Sequence, residues 1–182
     1  CIRDRDYMDK LDIVTDESGN EVVLLPEIIF SNKQNINWND VEDYLGKYVG
    51  ELIEIAETRD IIYIGNKFPD EYGGSSYTRK TKGARAKAKA NAAQGIREMV
   101  EIATDKVYRE NHKEKHSEDA HNGWFYYVTR FAIPLYNNEK KTGEYNVYSA
   151  CLVVNHAANG KMYLYDVVGI KKEASNPLKT IK

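Results

Sequence analysis

The stretch WFYYVTRFAIPLY, from Trp124 to Tyr136, decides the fold. Its aromatic and β-branched residues predict a strand. In strict alternation Trp124, Tyr126, Val128 and Arg130 share one face, and Phe125, Tyr127, Phe131 and Ile133 the other. Both faces are aromatic, which places the strand inside a sheet. Two runs of similar composition follow, EYNVYSACLVVNH (144–156) and MYLYDVVGI (162–170). The polar connection NNEKKTGE joins the first pair. AANGK, with the hairpin signal Asn159-Gly160, joins the second. The expectation is a three-stranded antiparallel meander.

Upstream, ARAKAKANAAQGIREMVEIATDKVY (84–108) is the strongest helical pattern. Ala84, Ala88, Ala92, Ile96, Met99, Val100 and Ala103 form one apolar stripe, with Gly95 as its weak point. A second helix is predicted after Asn39 as N-cap, with Val41, Tyr44, Leu45, Tyr48 and Leu52 at helical spacing. Gly46 and Gly50 weaken or divide it. Pro26 interrupts EVVLLPEIIF, which reads as an edge strand or an extended connection. DIIYIG reads as a short buried strand, and KFPDEYGGSSYTRKTKG (67–83) as the most loop-like segment. The fold class expected is α+β: N-terminal helices packed on a C-terminal antiparallel sheet, the meander plus one or two earlier strands. Residues 1–60 read as an extension or subdomain and 61–182 as the main domain, unless the two are continuous.

Length and composition set the bounds. The chain has 182 residues, 42% hydrophobic and 30% charged, which suits one core under a well-solvated surface. A formal charge of -2 argues against a uniformly basic coat, so any nucleic-acid footprint must be local. Fourteen tyrosines against four phenylalanines favour half-buried sheet faces and wet interfaces. Cys1 and Cys151 form no disulfide framework, and Cys151 lies in an apolar strand as a buried thiol. The lack of an initiator Met before Cys1 reads as a fragment. Neither a membrane-length apolar run nor a signal-peptide pattern is present, so a reducing cytoplasmic setting without a membrane partner is expected. The phosphate-binding, dinucleotide-binding and nucleophile-elbow motifs are missing, and nothing calls for a cofactor.

Four features carry chemistry. Arg79, Lys80, Lys82, Arg85, Lys87 and Lys89 fall within eleven residues that contain no acid. Cations near a helix N-terminus oppose its dipole, so the run points to a phosphate backbone; the alternative is a solvated face balanced by acids elsewhere. Next, His112, His116 and His121 share one polar loop. With Asp119 they have metal-like spacing, but Lys113 and Lys115 repel a cation, so no metal is assigned. The loop instead offers His116, Lys115, Glu118 and Asp119 for acid–base work, or it is simply exposed. Third, Arg130 in mid-strand needs a carboxylate or an anion. Asp166 is the carboxylate candidate. Fourth, His156 closes the second strand at a hairpin tip.

The succession KEKHSEDAHNGWFYYVTRFAIPLY, then YNVYSACLVVNHAANGKMYLYDVVGIKKE, resembles domains in large polyvalent proteins of phages and conjugative elements. Those domains lie near the barnase, EndoU, colicin E5/D and RelE-like nuclease superfamily. The resemblance covers roughly 84–173, and LPEIIFSNKQNINWNDVEDYLGKYVGE is similar to the same mobile-element proteins. It implies an α+β domain and a metal-independent RNase or effector nuclease, in which the RNA 2′-OH attacks its own phosphate. RNA is then the substrate, and a protein partner or immunity protein is expected. The resemblance implies His116 as acid or base and Arg130 as the phosphate clamp. No strand glutamate stands in the general-base position, since the sheet carries only Glu144 and Asp166. His156 is the substitute, giving a two-histidine arrangement with a lysine, Lys115. Arg79, Lys80, Lys82, Arg85 and Lys89 grip the backbone. A non-catalytic nucleic-acid- or protein-binding domain is the alternative.

Overall fold

A computed structural model describes residues 10–31, 35–110, 122–173 and 177–179. Among these residues the backbone is built around two long antiparallel strands. They are β6 (Trp124–Asn137) and β7 (Lys140–His156), paired from Trp124↔Asn155 to Asn137↔Lys140. The connection between them is a two-residue turn, Asn138-Glu139, with both φ values positive. It is far tighter than the polar loop predicted over NNEKKTGE, because strand pairing continues through Lys140 and Lys141. β8 (Met162–Lys172) follows antiparallel to β7 across the turn at Asn159-Gly160.

Short strands extend this spine on both sides. β1 (Ile13–Thr15) pairs with β2 (Glu21–Leu24), and β2 runs parallel to β6. β3 (Leu52–Glu54) pairs with β4 (Ile61–Tyr63), and β4 runs parallel to β8. β5 (Thr104–Arg109) shares an edge of β6 with β2, and β9 (Leu178–Lys179) adds to β7. The sheet is therefore mixed, with nine strands among the described residues. That corrects the expectation of a three-stranded meander with one or two additions. The missed strands are three to six residues long apart from the two-residue β9, too short to show an alternation of their own.

The helices are shorter than predicted. α1 (Trp38–Leu45) is capped by Asn37, whose side chain accepts from the Asn39 N–H, and a 3₁₀ turn at Gly46–Tyr48 closes it. Leu52 lies beyond it in β3, exposed. The segment that reads as loop forms α2 (Phe68–Gly74), with Pro69 in its first turn, and α3 (Ser76–Lys80), capped by Ser75. The long helix is divided into α4 (Ala84–Ala92), a 3₁₀ turn at Ala93–Gly95 and α5 (Ile96–Glu101). Residues 104–108 belong to β5. Asp105 takes a positive φ there, and β-prone Thr104, Val107 and Tyr108 pair with an open stretch of β6.

The alanine stripe has a clear physical purpose. Ala88, Ala92, Ile96, Met99, Val100 and Ala103 are fully buried in one core cluster with Tyr127, Phe131, Leu152, Val154 and Val167 of the sheet. A Cβ on Gly95 would meet Leu25 Cδ2 at 3.1 Å and Val23 Cγ1 at 3.2 Å. The glycine is a close-packing site as well as a helix break. Beyond Pro26 the chain leaves the sheet, and side chains replace the ladder. Asn91 Oδ1 accepts the Ile29 and Phe30 N–H groups, its Nδ2 donates to Phe30 O, and Gln94 Nε2 donates to Glu27 O. A buried backbone requires such partners.

Candidate functional site

β6 presents the predicted alternation. Phe131 stacks on Tyr148 on the core face, while Trp124, Tyr126 and Arg130 line the other. Arg130 does not reach Asp166. Its Nε donates to Glu173 Oε1 at 3.0 Å, just past the end of β8, in a partly buried pair. Asp166 cannot serve Arg130, because it is turned to the helices by a register shift in β8 opposite Val153–Val154.

There Asp166 meets Lys89. Lys89 Nζ lies 2.7 Å from Asp166 Oδ1 and 2.6 Å from Thr78 Oγ1, under the rings of Tyr72 and Tyr77. Tyr72 donates its hydroxyl to Lys89 O, and Thr78 donates to Tyr72 O. Burial pushes the Lys89 ammonium down and the Asp166 carboxyl up, each opposed by the charge of the other. Lys89 has no exposed surface, so it grips no phosphate and is corrected to an internal tie between α4, α3 and β8.

His156 occupies the hairpin tip, as expected, with Nε2 3.2 Å from Gly160 O and its ring beside Phe125 on the core face. Arg130 lies opposite Ser149, seven residues back along β7 and on the other face. At strand rise the two are on the order of 20 Å apart, and one phosphate cannot touch both. His112, His116, His121 and Lys115, with Lys113, Glu118 and Asp119, lie outside the described residues. The chain rejoins the sheet at Asn122, whose N–H donates to His156 O at 2.9 Å, while His156 N–H donates to Gly123 O at 3.0 Å. Gly123 is required there: its φ is +98° and a Cβ would come 2.8 Å from Arg109 O.

A second group, in contact with the Phe125 ring that also meets His156, escaped the sequence. Lys106 Nζ sits 4.4 Å from the centre of the Phe125 ring and 2.8 Å from Asp60 Oδ2. Asp60 also accepts from Tyr127 and Thr58. Burial raises its carboxyl, but those bonds, with Lys106 first, outweigh it and hold the group below its usual value. These residues come from β5, β6 and the approach to β4, so no spacing in the chain announces them.

The basic run divides by exposure. Arg79, Lys80, Lys82 and Arg85 are exposed around the start of α4, whose N-cap Gly83 supplies no side-chain hydrogen bond. Among the described residues none of the four forms an ion pair with a carboxylate. At the far edge of the sheet, the connection between β4 and α2 lines a cavity of about 320 Å³, together with Asn155, Tyr163 and Tyr165. Among the described residues no helix is long and apolar enough to cross a membrane. No family model, curated protein or solved structure matches the chain.

Proposed function

We propose that this chain is a nucleic-acid-binding domain that docks a phosphate backbone on the exposed cations at the start of α4. The observation that carries this reading is the placement of Arg79, Lys80, Lys82 and Arg85 at the surface without acidic partners among the described residues. The helix they surround leaves its first N–H groups without a side-chain cap. Lys82 just before that helix and Arg85 in its first turn oppose its dipole, Arg79 and Lys80 approach from the last turn of α3, and an anion relieves both problems together. Binding is local, in keeping with a formal charge of -2 for the whole chain.

The test is fluorescence anisotropy with short single-stranded RNA and DNA at several salt concentrations. Replacing the four cations by glutamate is expected to remove binding while leaving the melting transition in place. Unchanged affinity in that variant defeats the reading.

A metal-independent RNase is the second reading. It is favoured by the hydrogen-bonded junction of Asn122 and Gly123, the residues that follow the histidine-rich segment in sequence, with a fourth histidine, His156. Acid–base cleavage then uses His116 and His156, with Lys106 or Lys115 as the cation. Arg130, held by Glu173 on the opposite face, is not the phosphate clamp for His156. Cleavage of an RNA panel in chelator that is lost in both His116→Ala and His156→Ala supports the RNase; an inactive parent protein removes it.

A further inference from the structure

The cavity of about 320 Å³ at the β8 edge sits at the small end of ligand pockets, which run to about 300–1,000 Å³. Its walls are flat and held in place. Tyr163 packs against Gly65, where a Cβ would stand 3.4 Å from its ring, and against Tyr63 at 5.7 Å between centroids. Tyr165 meets Trp124 edge-on at 5.0 Å. Asn155 lies in register between Trp124 and Tyr163, is only 8% exposed, and leaves Oδ1 without a donor among the described residues. An unsatisfied buried carbonyl is costly, which makes it a marker of a partner from outside. Glu71 adds a carboxylate to the same lining.

The unpartnered polar atom is thus a hydrogen-bond acceptor, with a carboxylate in the same lining and aromatic rings around it. A fitting ligand is planar and brings N–H donors. We propose that this cavity binds one unpaired, amine-bearing nucleobase (adenine, cytosine or guanine), stacked on the tyrosines with its N–H groups on Asn155 and Glu71. Uracil fits less well: it has no exocyclic amine, and its one N–H on that edge is flanked by two carbonyls that would crowd these acceptors. The base comes from a free nucleoside or from a strand held on the α4 cations; only the second source rests on the proposed function. Base–aromatic stacking is the common grip on single strands, and the amide supplies the choice among bases.

Titration calorimetry with adenosine, cytidine, guanosine and uridine, and with short RNAs of matching composition, tests this. At least one amine-bearing ligand is expected to bind saturably, with the uridine counterpart at least tenfold weaker. Asn155→Leu removes the unpartnered acceptor while keeping the branched shape of the side chain, and is expected to cost at least tenfold in affinity with the melt retained. If that variant does not fold, Glu71→Gln provides the same readout. Binding of both nucleoside and oligonucleotide identifies a free-base site; binding of the oligonucleotide alone identifies the strand as source. The glutamate variant of Arg79, Lys80, Lys82 and Arg85 separates the two proposals, since nucleoside binding should survive in it. No binding of any ligand, or binding indifferent to both Asn155→Leu and Glu71→Gln, overturns the site.

Discussion

Lys89 Nζ stands 2.7 Å from Asp166 Oδ1 across 77 residues of sequence, and neither side chain reaches solvent appreciably. This pair ties α4 to the strand beyond β7. Removing one partner strands a buried charge, whereas replacing both with apolar groups removes the problem. Lys89→Met alone is expected to lower unfolding stability by about 3–5 kcal/mol. The double variant Lys89→Met with Asp166→Leu should recover most of that loss in urea denaturation. A single variant as stable as the parent would contradict the structural role.

Glu98 gives the protein a pH dependence. It is 4% exposed with Oε2 unpartnered among the described residues, and burial raises its carboxyl to about 7 from an ordinary 4.5. Between those values the folded chain keeps a proton that the unfolded chain has released. Stability therefore falls as pH rises through that window, by about 3 kcal/mol in total. Glu98→Gln should flatten the dependence and stabilise the chain above pH 7, read by melting temperature across a pH series.

Asn91 holds a segment that has no strand partner. Asn91→Ala leaves the Ile29 and Phe30 N–H groups without acceptors. The expected cost is about 2–4 kcal/mol. Hydrogen exchange should show the protection of those two amides disappearing first, before that of Val23 in β2. Equal protection in the variant would mean that other groups hold the segment.

The cations around α4 predict a salt dependence. Each phosphate that a cation neutralises steepens the slope of log affinity against log salt by about 0.7 for a single strand. Single replacement of Lys82 or Arg85 by Ala should make the slope shallower by about that amount for any sequence. Lys89→Met should leave the slope unchanged, because its ammonium lies inside the core.

Much of the architecture was legible in the chain. The alternation in 124–136 set the faces of β6, and six of the seven residues of the small-residue stripe proved fully buried, Ala84 at its start being exposed. Asn159-Gly160 marked its hairpin, because a positive φ belongs to Gly160 itself. Such features depend on neighbours in sequence, and periodicity reports them.

Tertiary structure alone decided the rest. Arg130 chose Glu173, and Asp166 chose Lys89, since the bulge in β8 turns one carboxylate inward while the end of the strand brings another to the guanidinium. The sequence announced β2 and β4, whereas β5 formed where β-prone residues met an open edge of β6, and β3 formed against β4. The same holds for function. Six cations look alike along 79–89, yet only packing against Tyr72 and Tyr77 removed Lys89 from the surface. Asn155, Tyr163 and Glu71 met only when the sheet closed on α2. Sequence by itself determines which residues can alternate, cap or turn, because those preferences are local. Which charges pair and which polar groups gather depends on contacts made across the fold.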